Sequence, residues 1–170
     1  MEPEQGSIFY RGSISVEYTR LDDIPYFSEC AAAVSNEGFV LLELQVVPQH
    51  GMVHVSVVIA SADASKDISV ADCSKVHHAL QPKLLSLLNK TEDDLSMEVS
   101  SPGLERKLKN ASEFALLKGR RVRVWNKELG DWQSGLIVDS DTSQVTLEPE
   151  EGERFTLTFE NIAKAKLLNI

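Results

Sequence analysis

The chain has 170 residues, of which 42% are apolar and 25% are charged, shares that predict a globular protein rather than a disordered or fibrous one. No apolar run reaches the roughly 20 residues that a membrane-spanning helix needs, and residues 1–20 lack the apolar core of a signal peptide. We therefore expect a cytoplasmic protein with no membrane partner. The net charge of −9 opposes long-range attraction to nucleic acid, so any contact with RNA must be local.

The charge is unevenly distributed along the chain. Residues 1–100 carry 6 basic and 15 acidic side chains, residues 101–125 carry 7 basic and 2 acidic ones, and residues 126–170 carry 4 basic and 9 acidic ones. A short basic segment therefore lies between two acidic blocks. This distribution favours either a local contact of the basic segment with RNA or a basic protein as the main partner.

The first elements in chain order are an extension and a helix. Residues 1–20 are interpreted as an N-terminal extension, because their weak alternation suits either an edge strand or a loose tail. Asp22 and Asp23, with Pro25 in the first turn, indicate a helix start, and Gly38 is placed to end the helix in a left-handed conformation. Helical spacing relates its apolar residues Phe27, Cys30, Ala31 and Val34.

Two strands, a second helix and a third strand follow. Residues 39–47 and 52–59 predict an antiparallel hairpin, and residues 95–99 alternate as a half-buried strand does. Between them a helix begins after Ser69, where Asp72 completes an approximate capping box, and Pro82 predicts a kink or a split. The predicted apolar stripe of this helix is Val70, Cys73, His77, Leu80, Leu84 and Leu87.

The fold class is therefore predicted to be α+β, with two domains. Residues 21–108 read as an α-β-β-α-β domain with both helices on one face of a small mixed sheet. Residues 109–170 begin with a short helix between Asn110 and Gly119. Strand patterns then recur at residues 121–125, 132–138, 144–148, 154–159 and 165–168. About five strands within some 55 residues are typical of a small barrel that closes or nearly closes its sheet.

The sequence offers little for catalysis or metal binding. Cys73 and His77 lie four residues apart on one helix face, but a zinc site needs three or four ligands, so we interpret both as core residues. Ser100 and Ser101 form a serine pair, yet a nucleophile needs a histidine and an acid beside it, and no G-x-S-x-G elbow is present. We expect no enzyme activity, no metal and no cofactor.

The segment between the two domains is the candidate binding site. Pro102 and Gly103 predict a tight turn, and Leu104 and Leu108 suit anchors against either domain. Charge alone leaves two interpretations open, namely a solvated hinge beside a charged edge strand or a surface that binds a partner. The candidate binding residues are Ser100, Ser101, Pro102, Gly103, Leu104, Arg106, Lys107, Arg120, Arg121 and Arg123.

Taken together, these segments resemble the ribosome maturation factor RimP family of bacteria. Residues 97–106, M-E-V-S-S-P-G-L-E-R, are similar to the family segment L-E-V-S-S-P-G-L-D/E-R. Weaker similarities follow the family's order at residues 38–41, 68–73, 114–124 and 162–165. Lys107, where the family often has proline, and Ala71, in place of the first acid of a D-D-C run, depart from the pattern.

The resemblance implies an α/β N-terminal domain and an SH3-like or Sm-like C-terminal barrel. It also implies a factor that binds the free small ribosomal subunit late in assembly, without catalysis, and whose barrel contacts the basic ribosomal protein near the decoding centre. The acidic blocks favour a basic partner of this kind. We expect a monomer whose basic segment touches ribosomal RNA locally.

Two other functions remain as alternatives. A general Sm-like RNA-binding protein would bind unstructured RNA tightly, but an aromatic share of 6% argues against it, because such proteins stack bases on aromatic side chains. A hydrolase that uses Ser100 or Ser101 would react with a serine-directed probe.

Overall fold

The computed structural model describes residues 15–103 and 105–168, and these form two units. The first unit is Arg20–Gly103. The second consists of the residues after Gly103 together with the segment before Arg20, of which residues 15–19 are described. Across the described ranges, no helix is both long enough and apolar enough to traverse a bilayer.

The first unit has the predicted α-β-β-α-β order. Its helices are α1 (Phe27–Asn36) and α2 (Val70–Leu88), and its strands are β1 (Phe39–Gln49), β2 (Met52–Ser61) and β3 (Leu95–Ser100). The sheet order is β1-β2-β3, with an antiparallel pairing between β1 and β2 and a parallel one between β2 and β3. The sheet is therefore mixed, as the sequence predicts.

The central strand β2 shows why one face of this sheet is covered. Its first six residues alternate, so that Val53, Val55 and Val57 are buried whereas His54 and Ser56 are exposed. Period-two alternation sends successive side chains to opposite faces, and the two helices cover the apolar face. The helix residues buried in this core are Phe27, Cys30, Val34, Val76, Leu80 and Leu84.

Helix α1 begins later than the sequence predicts. Asp22 and Asp23 lie in a separate 3₁₀ turn, Leu21–Asp23, and the helix starts only at Phe27 because Tyr26 takes a left-handed conformation with φ of +66°. Asp22 still serves the helix start, since its carboxylate accepts a hydrogen bond of 3.0 Å from the Ser28 hydroxyl. The predicted left-handed residue after the helix is present, with φ of +91° at Gly38.

Helix α2 starts where the sequence predicts, but its path through Pro82 and its buried residues differ from the prediction. The Asp72 N–H donates to the Ser69 hydroxyl at 3.1 Å and the Ser69 N–H donates to the Asp72 carboxylate at 2.9 Å, which is a complete capping box. The helix runs unbroken through Pro82, so the predicted split does not occur. The stripe is also shifted: Val70 is 87% exposed, and Val76 is buried in its place.

The second unit consists of short strands around one short helix. Its elements are β4 (Glu105–Lys107), α3 (Glu113–Leu116), β5 (Arg121–Asn126), β6 (Asp131–Ser140), β7 (Gln144–Glu148), β8 (Phe155–Thr158) and β9 (Ile162–Leu168). They form one sheet with the order β4-β9-β5-β6-β7-β8, in which neighbours are antiparallel. No pairing joins β4 to β8 within the described strands, so the sheet is open and the predicted closure is not seen.

The N-terminal residues that are described belong to this second unit. The Val16 N–H donates to the Ile162 carbonyl at 2.9 Å, and the Ala111 N–H donates to the Glu17 carbonyl at 2.8 Å. Tyr18 stacks on Phe159 with ring centroids 6.1 Å apart. Part of the predicted extension is thus integrated into the fold, whereas residues 1–14 of that prediction lie outside the described residues.

The chain enters the second unit earlier than the sequence analysis places the boundary. Residues up to 108 were assigned to the first domain, but Arg106 pairs with Leu167 and Lys107 with Lys166 of β9. Leu108 continues this pairing, since its N–H donates to the Ala165 carbonyl at 2.9 Å. A strand of only three residues is too short to show a periodic pattern, which explains why the sequence did not reveal it.

Candidate functional site

Four of the predicted site residues lie at the end of the first unit. Ser100 is the last residue of β3, and its exposed hydroxyl donates to the Val57 carbonyl at 3.5 Å. Ser101 and Gly103 are exposed and Pro102 is half-buried. Gly103 has φ of +80°, a conformation that glycine adopts without strain and that suits the predicted turn. The predicted site residue Leu104 lies outside the described residues.

The Ser100 hydroxyl is thus bonded to strand backbone and not to a histidine. In the described part of the chain, no three His, Cys, Asp or Glu side chains are grouped so that they could hold one metal ion. The two cysteines are free thiols. The arrangement around the serine pair therefore provides a turn.

Arg106, in the second unit, is held in an internal ion pair. It is 8% exposed, and its Nε and Nη2 atoms both lie 3.1 Å from Oε1 of the buried Glu113. The other carboxylate oxygen accepts the backbone N–H groups of Lys109 at 3.1 Å and Asn110 at 3.3 Å. Burial raises the pKa of Glu113, and Arg106 is the main group that opposes this. The pair orders the chain before α3.

Arg120 is also buried, with 8% exposure. Its backbone completes the turn that leads into β5, because its N–H donates to the Leu117 carbonyl and its carbonyl accepts from Ile137, both at 3.0 Å. Burial argues against Arg106 and Arg120 as surface contacts, since a buried guanidinium cannot reach a phosphate unless the fold opens. The remaining predicted cations of this unit are Lys107, Arg121 and Arg123.

Cross-strand register brings two of these cations together with a third that the sequence analysis did not select. Lys107 of β4 pairs with Lys166 of β9, and Lys166 pairs in turn with Arg123 of β5. Directly paired residues lie on the same face of a sheet. The intervening residues Val122, Val124, Ala165 and Leu167 are buried, so the three cations form one row across the outer face.

Beside this row lie both tryptophans of the chain. Trp125 pairs with Trp132 across β5 and β6, and their rings meet edge to face with centroids 5.6 Å apart. The Arg123 guanidinium lies 4.1 Å from the centre of the Trp132 ring. The Nζ atoms of Lys164 and Lys166 lie 5.4 Å and 5.8 Å from that ring. We call Arg123, Trp125, Trp132, Lys164 and Lys166 the cation–tryptophan cluster.

Acidic side chains pair with two cations of this face. Glu105 pairs with Lys166 at 3.4 Å at the sheet edge, and Arg121 reaches Glu150 at 3.8 Å. At the end of β6, a hydrogen bond from Lys118 lowers the pKa of Asp139, and in the turn that follows the Ser143 N–H lowers the pKa of Asp141. Asp139 and Asp141 therefore keep their negative charge at neutral pH.

The sequence analysis missed four residues of this surface, namely Trp125, Trp132, Lys164 and Lys166. Part of the signal was visible, because period-two spacing places Arg121, Arg123 and Trp125 on one face of a single strand. The contributions of β6 and β9 depend on which residues pair across strands. Such a register is set by the folded sheet and its turns, and one sequence does not specify it.

Comparison with known families bears on the first unit. Residues 29–105 match the family model described as the RimP N-terminal domain. The matched range covers α1 to β3 and includes the S-S-P-G-L-E segment on which the resemblance depends. The match confirms that resemblance over the first unit: residues 29–105 carry the N-terminal domain of the RimP family.

Proposed function

We propose that the protein is an assembly factor of the small ribosomal subunit, which binds the free immature subunit in the cytoplasm and then leaves without catalysing a reaction. The observation that carries this proposal is the family match over residues 29–105. A factor of this kind needs only to bind two states of the subunit with different affinity. The proposal therefore requires a binding surface and no active site.

The architecture proposed for the second unit is that of an SH3-like, or Sm-like, barrel whose sheet stays open between β4 and β8. Its support is a meander of short antiparallel strands in which β6 pairs with β5 through its first half and with β7 through its second half. The proposed protein partner of this unit is the basic ribosomal protein near the decoding centre. The acidic side chains of the turns after β6 and β7 suit a basic partner.

Charge also supports a division of roles between surfaces. Arg20–Gly103 contains five basic and twelve acidic side chains, whereas residues 104–170 contain eleven of each. The first unit is therefore repelled by RNA phosphates, and any RNA contact is proposed for the outer face of the second unit. The proposed contacts are Lys107, Arg121 and Arg123; the buried Arg106 and Arg120 are left out.

Sedimentation of a cell lysate tests the proposed function directly. The protein should travel with free small subunits and be absent from complete ribosomes, because a factor that acts during assembly leaves before the subunits join. If the protein stays at the top of the gradient, or follows complete ribosomes equally, the proposal is wrong.

A charge-reversal variant tests the proposed RNA contact within the subunit complex. Lys107→Glu with Arg121→Glu should weaken subunit binding and flatten its dependence on salt, since each lost phosphate contact reduces the slope of log K against log salt by about 0.7–0.9. Lys83→Glu with Lys90→Glu, on the exposed surface of the first unit, is the matched control. Equal salt slopes for the two variants would remove these contacts from the interface.

One observation, the cation–tryptophan cluster, supports the alternative that the protein is a general Sm-like RNA-binding protein. It predicts tight binding to naked, unstructured RNA in a gel shift and no preference for small subunits. The assembly factor predicts the reverse order of affinities. Measuring both on one preparation separates the two functions.

A further inference from the structure

The cation–tryptophan cluster combines the two kinds of group that bind single-stranded nucleic acid. Its rings are half-buried on the outer face of a sheet, and three cations lie within 6 Å of the Trp132 ring centre. Proteins that bind single strands use aromatic and guanidinium planes to stack bases and cations to follow the phosphates. The exposed Lys107 extends the cationic row at one side.

We propose that the outer face of β5, β6 and β9 is a binding site for single-stranded RNA, with bases stacked against Trp125, Trp132 and the Arg123 guanidinium and phosphates held by Lys107, Lys164 and Lys166. This inference deepens the proposed function and rests on it, because it names the surface through which the assembly factor reaches ribosomal RNA.

The geometry favours a single strand over a duplex. In a duplex the base planes are already stacked and only phosphates and groove edges are accessible, whereas the planes of a single strand are available to aromatic rings. The edge-to-face arrangement of Trp125 and Trp132 gives the site two differently oriented ring surfaces. The Arg123 guanidinium lies against Trp132, and its buried Nε atom has no hydrogen-bond partner among the described residues.

The site is expected to bind modestly and with strong salt dependence. Stacking on an aromatic side chain contributes about 1–3 kcal/mol per base, but the net charge of −9 opposes the approach of RNA. Naked RNA therefore has to overcome this repulsion alone. On the subunit, protein contacts offset it and keep the strand close to the site.

The chain provides its own reporter for this site. It contains two tryptophans, and both belong to the cluster, so intrinsic tryptophan fluorescence responds to a base that stacks there. Titration of the full chain at low salt with an oligouridine of about 12 nucleotides should quench the fluorescence to saturation. No quenching under these conditions overturns the inference.

A matched pair of variants links the signal to the cations. Lys164→Gln with Lys166→Gln should lower the affinity for oligouridine about tenfold, because two phosphate contacts are lost. Lys118→Gln with Arg154→Gln removes two exposed cations elsewhere on the same unit, each paired with a carboxylate, and should leave the titration unchanged. Equal thermal melts of the unchanged protein and the two double variants establish that all three fold alike. Equal weakening in both variants overturns the site.

Three competitors identify the ligand class. Inorganic polyphosphate, a duplex RNA of equal charge and an acidic peptide should each quench less than the oligouridine. Equal quenching by polyphosphate or duplex overturns the stacking site in favour of charge alone, and stronger quenching by the peptide overturns it in favour of a protein partner.

The quenching and sedimentation experiments fail independently. If the protein sediments with small subunits but oligouridine does not quench its fluorescence, the proposed function stands and this site is wrong. If oligouridine quenches the fluorescence but the protein does not sediment with small subunits, the site stands and the proposed function is wrong.

Discussion

Among the basic residues of the linker segment, Arg106 shows how burial changes the meaning of a charge. In the sequence it stands between Glu105 and Lys107 in a run that suggests a surface, but in the fold it points inward to Glu113. Its strand neighbour Lys107 points outward. Alternation along three residues therefore separates a structural cation from a candidate binding one.

Replacing Arg106 by methionine should lower the free energy of unfolding by about 3–5 kcal/mol at neutral pH, because Glu113 is left as a buried charge without its cation. The variant also raises the already raised pKa of Glu113. A carboxyl whose folded pKa exceeds its unfolded value stabilises the fold at low pH and loses that contribution as pH rises through the folded value. The decrease in the free energy of unfolding caused by Arg106→Met should therefore be smaller near about pH 4.

Urea unfolding of the Arg106→Met variant at neutral pH and near about pH 4 measures this difference in stability. In the Arg106→Met background, Glu113→Gln should recover part of the stability at neutral pH, since the amide oxygen still accepts the N–H groups of Lys109 and Asn110. A loss that is independent of pH and unaffected by the second substitution would contradict the assignment of this ion pair.

Cys30 and Cys73 should differ sharply in reactivity. Burial, with a smaller contribution from Glu29, raises the pKa of Cys30 to about 11, and the side chain is 0% exposed. The thiolate is the reactive form, so at about pH 8 alkylation of Cys30 should be roughly a hundredfold slower in the folded protein than in denaturant. Cys73 is only half-buried and should react faster. Peptide mapping after iodoacetamide treatment measures both rates, and equal rates would contradict this.

At the scale of elements, the start of α2 depends on two reciprocal hydrogen bonds. Ser69→Ala removes the acceptor for the Asp72 N–H and should lower the free energy of unfolding by about 1 kcal/mol. Ser74→Ala, at an exposed position inside the same helix, should change it by less than about 0.5 kcal/mol. Urea unfolding followed by helical circular dichroism compares the two. Identical midpoints would mean that the capping box does not contribute.

Strands β6 and β7 approach closely at Gly135. A Cβ atom there would lie 2.9 Å from the backbone oxygen of Glu148 and 3.0 Å from its carbonyl carbon, so Gly135→Ala should push the two strands apart and destabilise the second unit by about 1–3 kcal/mol. Tryptophan fluorescence follows this unit selectively, since Trp125 and Trp132 both lie in it. Ser134→Ala, on the exposed side of the same strand, is the control, and equal melting temperatures for the two variants would exclude the clash.

Elements were predictable from sequence wherever their signal was local. The capping box at Ser69 and Asp72, the left-handed Gly38 and the strands β5 to β9 all follow from spacing within a few residues. The start of α1 was wrong because a left-handed Tyr26 is not indicated by residue type. The buried stripe of α2 was shifted because the position of the sheet decides between Val70 and Val76.

At the scale of the whole molecule, the candidate site depends on pairing between distant segments. Lys107, Arg123 and Lys166 span about 60 positions of sequence and meet only through the register of β4, β9 and β5. The charges were visible in the sequence, but their grouping with two tryptophans was not. The open strand order likewise required the structure, since repeated short strands indicate a barrel more readily than an open sheet.

Acid should lower the stability of the fold, because it protonates several exposed carboxylates. Hydrogen bonds from Ser69, Lys118 and Ser143 lower the pKa values of Asp72, Asp139 and Asp141 respectively. Groups with a depressed folded pKa stabilise the fold above their unfolded value and lose that contribution as pH falls through the folded value. The urea midpoint should therefore decline below about pH 4, and Asp72→Asn should make the decline shallower for the helical signal. A midpoint that stays constant to about pH 2 would contradict this.

The hydrogen bond between Val16 and Ile162 has a consequence for biosynthesis. Chains fold as they are translated, generally from the N-terminal side, and Arg20–Gly103 has its complete set of partners once it has left the ribosome. Residues 15–19 are translated before that unit, yet the backbone groups that receive them belong to β9 and to the segment before α3. Residues 15–19 must therefore wait until Ile162 has been translated, and the second unit is completed only after Arg20–Gly103 has been made.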